Sequence, residues 1–102
     1  MRKKKNYQFT TKLWEWPNEK ASWFFLSVPN EYYEQIKHSA PQKRGFGSVR
    51  IQAAIGQTTW QTSVFPNSRD KIFLLPVKQE IRRAEGFGLD DSVTVKIKIM
   101  EN

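Results

Sequence analysis

The clearest hydrophobic pattern lies near the C-terminus, where Val93, Val95, Ile97 and Ile99 alternate with Thr94, Lys96 and Lys98. Successive side chains of a strand point to opposite faces, so this period of two predicts a half-buried β-strand. Residues 47–55 read the same way, with Val49, Ile51, Ala53 and Ile55 facing one side and Ser48, Arg50 and Gln52 the other. Residues 7–16 predict a strand with Tyr7, Phe9 and Leu13 on one face and Trp14 and Trp16 on the other. Two apolar faces call for a bulge or a cover over the tryptophans. Residues 23–28 are apolar on both faces, which predicts a central or covered strand. Residues 58–65 and 71–75 complete the set, with Gly56-Gln57 as a two-residue hairpin turn before the first. Pro66-Asn67-Ser68 is expected to break the former, and Pro76 to close the latter.

Two stretches carry a helical period instead. Asn30 reads as the N-cap of a helix through residue 39, with Tyr33, Ile36 and Ala40 as its core stripe. Glu31 and Glu34 near its start, and Lys37 and His38 near its end, suit the helix dipole. A second helix is predicted over residues 77–85, with Val77, Ile81 and Ala84 inward and Gly86 just past its end. Leu89 is expected to pack beneath it before the Asp90-Asp91 turn. The order is therefore β-β-α-β, twice over. Pro29 matches Pro76, Gly45-Phe46-Gly47 matches Gly86-Phe87-Gly88, and Ser48-Val49 matches Ser92-Val93. The expectation is a mainly β single domain over residues 7–102, with pseudo-repeats at 7–56 and 57–102 closing a barrel behind a basic flexible tail, residues 1–6.

Composition narrows the class. A length of 102 residues suits one domain, and 38% hydrophobic with 14% aromatic residues suffices for a core. No cysteine is present, so disulfides and thiolate chemistry are excluded. No apolar run approaches a membrane span, and residues 1–12 offer no apolar signal core, so a cytoplasmic location is expected. The formal charge is +7, and Arg2 through Lys5 supply over half of that excess. A solvated tail accounts for this run more readily than an anionic partner does.

Catalytic chemistry has little footing. His38 is the single histidine, no cluster has metal-ligand spacing, and Ser48, Ser63 and Ser92 lack a base. Gly45-Phe46-Gly47 alone is no dinucleotide fingerprint. No enzyme, cofactor or metal is expected. Arg50, Lys96 and Lys98 fall at outward strand positions and, with Lys43 and Arg44, form a candidate basic face. Phe46 and Phe87 are candidate aromatic contacts, against a reading as tucked loop hydrophobes. The four tryptophans read as core or partial core ahead of a ligand cleft.

The second unit, with Leu75-Pro76, Ile81-Arg82-Arg83-Ala84, Gly86, Asp91 and Val93-Thr94-Val95, resembles the swapped-hairpin domain of AbrB/MazE-type transcription factors. The resemblance implies DNA contacts from Arg82, Arg83, Lys71 and Arg69. A structural role for the helical arginines beside Glu80 and Glu85 competes with it. The first unit carries Gln35, Ile36 and Lys37 where the second has Ile81, Arg82 and Arg83, so a two-fold DNA reader would be one-sided. Over its full length the chain is similar to a bacterial domain family of unknown function with a double-split β-barrel fold. That family is often fused to a YdeI/OmpD-associated bacteriocin-protection domain. The similarity rests on Trp23, Pro29, residues 44–49, Thr59-Trp60-Gln61-Thr62-Ser63, Phe65-Pro66, Leu75-Pro76-Val77-Lys78, Ile81-Arg82-Arg83-Ala84 and Asp91-Ser92-Val93-Thr94-Val95. It implies a double-split barrel and no established activity; with both units in one chain a monomer is favoured, and a dimer through an exposed edge strand is the alternative. The leading expectation is a non-enzymatic binding or interaction module with a protein or anionic partner. A nucleic-acid-binding protein of AbrB-like type is the alternative.

Overall fold

The computed structural model describes residues 5–17, 20–39 and 47–100. Its strands are β1 (Asn6–Lys12), β2 (Trp14–Trp16), β3 (Trp23–Val28), β4 (Val49–Ile55), β5 (Thr58–Asn67), β6 (Ile72–Pro76) and β7 (Ser92–Ile99). Two short helices, α1 (Tyr33–Ser39) and α2 (Gln79–Glu85), complete the fold. The strands form one curled antiparallel half-barrel sheet of seven, in the order β1-β7-β4-β5-β6-β3-β2. Alternation decides which face becomes core. Val49, Ile51, Ala53 and Ile55 of β4 and Val93, Val95, Ile97 and Ile99 of β7 all bury on the concave side, as their spacing predicts.

Two segments pass from one half of the sheet to the other. β5 pairs with β4 up to Val64 and with β6 from Phe65 onward. The first segment does the same in two pieces, β1 beside β7 and β2 beside β3, with Leu13 between them. Leu13 is fully buried. Its N–H donates to the Asp91 carbonyl at 3.0 Å, and its carbonyl accepts from the Asp90 N–H at 2.9 Å. The acidic turn thus satisfies the backbone groups that a break in the ladder leaves over. That turn is itself held by the Gly88 N–H donating to the Asp91 carboxylate at 2.8 Å.

Several local expectations are corrected. Pro66 does not end its strand; it lies inside β5 opposite Phe73, beyond the reach of β4, where its missing N–H removes no ladder bond. Asn30 does not cap a helix. Residues Asn30–Tyr32 form a 3₁₀ turn ahead of α1, and the Asn30 amide donates to the Lys71 carbonyl at 3.0 Å. Tyr33 and Ile36 bury as expected, whereas Ala40 lies outside the described residues. α2 begins at Gln79 and ends on Gly86, which takes the left-handed conformation at φ 70°. Val77 and Ile81 are buried, but Ala84 and Leu89 are exposed: the helix is two turns long, and its stripe meets the sheet only along its first turn.

Candidate binding surface

The outer face of β2, β3, β6 and the end of β5 is where the fold departs from an ordinary polar exterior. Cross-strand register assembles it. Trp16 pairs with Trp23, Trp14 with Phe25, Phe25 with Pro76, and Phe65 with Leu74. Leu26, Val28, Phe73 and Leu75 alternate with these and point inward, so both faces of these strands are apolar and only one is core. The tryptophans are therefore not all core residues: Trp16 and Trp23 are each 57% exposed, and Phe65 is 42% exposed. Trp14 is half-buried, its indole N–H donating to Ser27 at 2.8 Å and its ring 5.2 Å from that of Phe25.

Two depressions are carved into this surface. One, of about 350 Å³, is lined among the described residues by Trp16, Trp23, Phe25, Phe65, Leu74 and Pro76. The other, of about 750 Å³, shares Trp23, Phe65 and Pro76 with it and runs between β5 and α2 past Trp60 and Phe24 to Arg82. Arg82 forms its far wall. The guanidinium carbon lies 3.8 Å from the centre of the Phe24 ring, a stacked cation–π contact. Its Nε is buried with no hydrogen-bond partner among the described residues. α2 is fastened at its other end, where the Glu85 carboxylate accepts from the Thr58 hydroxyl at 2.6 Å.

The basic residues singled out by sequence do not form one site. Arg69 and Lys71 are exposed in the turn before β6, while Arg82 and Arg83 follow it on α2, so the two pairs sit at opposite ends of that strand. Arg83 is exposed, whereas Arg82 is half-buried against Phe24. Phe87 is partly buried and packs against the core. Lys43, Arg44 and Phe46 lie outside the described residues. The groove around Trp16, Trp23 and Phe65 was ranked second, as a tryptophan cleft behind a core reading, because an apolar strand reads as core. The signal that could have found it is the second apolar face of residues 23–28, facing the Trp14 and Trp16 pair.

No three His, Asp or Glu residues converge as metal ligands among the described residues. His38 bonds Glu34 at 3.2 Å on the exposed side of α1. Among the described residues no helix is long and apolar enough to cross a membrane.

Fold and surface together define a small, mainly β domain that presents an aromatic outer face beside a short helix. No curated protein matches the chain. It belongs to the family described as a domain of unknown function, DUF1905, whose model matches residues 9–97.

Proposed function

We propose that the protein is a non-enzymatic binding module that takes its ligand on the aromatic face of β2, β3, β6 and β5. The carrying observation is the pair Trp16 and Trp23, cross-strand neighbours each left 57% exposed over an apolar depression. Fully burying one large apolar side chain stabilises a fold by about 1.5–3 kcal/mol. A contiguous aromatic patch forgoes much of that, and such patches mark interaction sites. Two carboxylates serve the fold: Asp91 accepts from the Gly88 N–H, and Glu85 accepts from the Thr58 hydroxyl.

The scaffold of this module is, in our reading, a double-split barrel of two ββαβ units in one monomeric chain. Strand register supports it. If β4 corresponds to β7 through Val49 and Val93, and β3 to β6 through Pro29 and Pro76, one displacement carries the first segment onto β5 in both of its ladders. It takes Thr11, paired with Val93, onto Val64, paired with Val49. It also takes Trp14, paired with Phe25, onto Asn67, paired with Ile72. DNA reading through the basic helix draws less support, because Arg82 is occupied by Phe24.

The test is a screen of small aromatic fragments against isotope-labelled protein. The indole N–H resonances of Trp16 and Trp23 should shift first, with the bonded Trp14 indole less affected. Hits that cluster away from these residues would overturn the assignment.

A further inference from the structure

The other half of the sheet has an outer face of opposite character. Outward positions of β1, β7, β4 and residues 59–63 of β5 hold Asn, Gln, Ser, Thr, Ala, Lys and Arg, with no Asp or Glu among them. Register arranges these residues in rows. Asn6, Lys98, Gln52 and Gln61 lie side by side across four strands. The adjoining row is Gln8, Lys96, Ala54 and Thr59, and the small Ala54 leaves a shallow depression of about 320 Å³ between the lysines. Arg50, opposite Ser63, stands on the same face. No described carboxylate is ion-paired with Arg50, Lys96 or Lys98.

This face joins the aromatic one through β5. Ser63 is opposite Arg50, and Phe65, the next outward residue of the strand, is opposite Leu74 on the aromatic side. Arg50 and Phe65 are therefore diagonal neighbours across β4 and β5, about 7–8 Å apart, close to the spacing of successive nucleotides. Lysine and arginine meet phosphates, primary amides offer both donors and acceptors to base edges, and exposed rings stack bases. Amides also serve carboxylates and headgroup oxygens; the exposed rings of Phe65 and Trp23 next to the cationic rows are what favour bases, which stack on them.

We propose that this composite surface binds single-stranded nucleic acid, with phosphates on Arg50, Lys96 and Lys98 and bases on Phe65 and Trp23. The proposal rests on the binding-module reading and names its ligand. Stacking requires unpaired bases, so a duplex is the weaker ligand.

The experiment is fluorescence anisotropy of the full chain with labelled oligo-uridine, oligo-thymidine and a duplex, titrated between about 50 and about 200 mM salt. Three phosphate contacts on a single strand give a log–log salt slope near −2, hence about a 20-fold loss of affinity over that range. Lys96→Gln/Lys98→Gln should flatten the loss to about threefold. Phe65→Ala and Trp23→Ala should each weaken binding by about 5- to 150-fold with the slope unchanged. No binding at about 50 mM salt would overturn the proposal. So would equal affinity for the duplex or for inorganic polyphosphate with no effect of the aromatic variants, which is bare polyanion attraction. Preference for phosphatidylserine vesicles over the oligonucleotides would also sink it. If oligonucleotides fail while aromatic fragments still shift Trp16 and Trp23, only the ligand assignment falls. If both fail, the binding-module reading falls too.

Discussion

Gly56 is the position where one added carbon should cost most for its size. It sits at φ 57° in the β4–β5 turn, a conformation that costs a non-glycine residue about 1–2 kcal/mol. A Cβ built there also falls on the Glu85 carboxylate, with the carboxyl carbon at 2.8 Å. That carboxylate can swing away, but only by giving up the Thr58 hydroxyl at 2.6 Å. A hydrogen bond to a charged group contributes about 1.5–3 kcal/mol. Gly56→Ala should therefore destabilise by about 2.5–5 kcal/mol, and it should loosen α2 from the hairpin as well. Urea unfolding at neutral pH, followed by circular dichroism, measures the total. The cycle with Glu85→Ala separates the parts: without the carboxylate, Gly56→Ala should cost only the backbone share of about 1–2 kcal/mol. Gly86→Ala is the matched control, since Gly86 has φ 70° but nothing within 4 Å of its added carbon. Equal costs for Gly56→Ala in the two backgrounds would refute the reasoning, because the carboxylate would then not be where the contact requires it.

Other expectations follow from single contacts. Leu13→Ala, at a fully buried junction, should cost about 3–5 kcal/mol in urea unfolding; a loss under 1 kcal/mol would mean the crossover is not packed. Arg82→Ala removes a stack of about 0.5–2 kcal/mol but also an unpartnered buried donor, so the two effects nearly cancel. Arg82→Met keeps the stem and drops the donor, and should raise the urea midpoint; a large fall would reveal a partner for Nε. Desolvation, followed by the Glu31 carboxylate, raises the Tyr32 hydroxyl above the usual tyrosine value. The folded state thus favours the neutral phenol. Its contribution to stability is complete below the ordinary tyrosine range and is lost as pH rises through the folded value, which ultraviolet titration against Tyr32→Phe should register.

Where local pattern and local cause coincide, the sequence was legible. β4 and β7 alternate because each lays one face on the core, and nothing distant alters that. A bulge or cover within residues 7–16 was expected from their two apolar faces, but its place at Leu13 was not legible, because the groups that hold it, Asp90 and Asp91, lie at the far end of the chain. Pro66 was misread because its tolerance depends on which neighbour pairs with it, a property of topology. The tryptophans misled for a different reason: hydrophobicity predicts burial, and a binding face uses the same residues without it. The basic sites were grouped by chain position and resemblance, yet β6 separates Lys71 from Arg82. The amide and lysine rows needed three ladders of register before they could be seen at all.

The single-residue step at Leu13 has a mechanical consequence. β1 and β2 occupy the two margins of the sheet, and one buried residue ties them together. Neither margin can peel away without dragging on the other, so fraying there is one concerted event instead of two independent ones. An unpaired margin is what recruits foreign strands into fibrils, and here both are leashed to the same anchor. Loosening that anchor would therefore free both margins together.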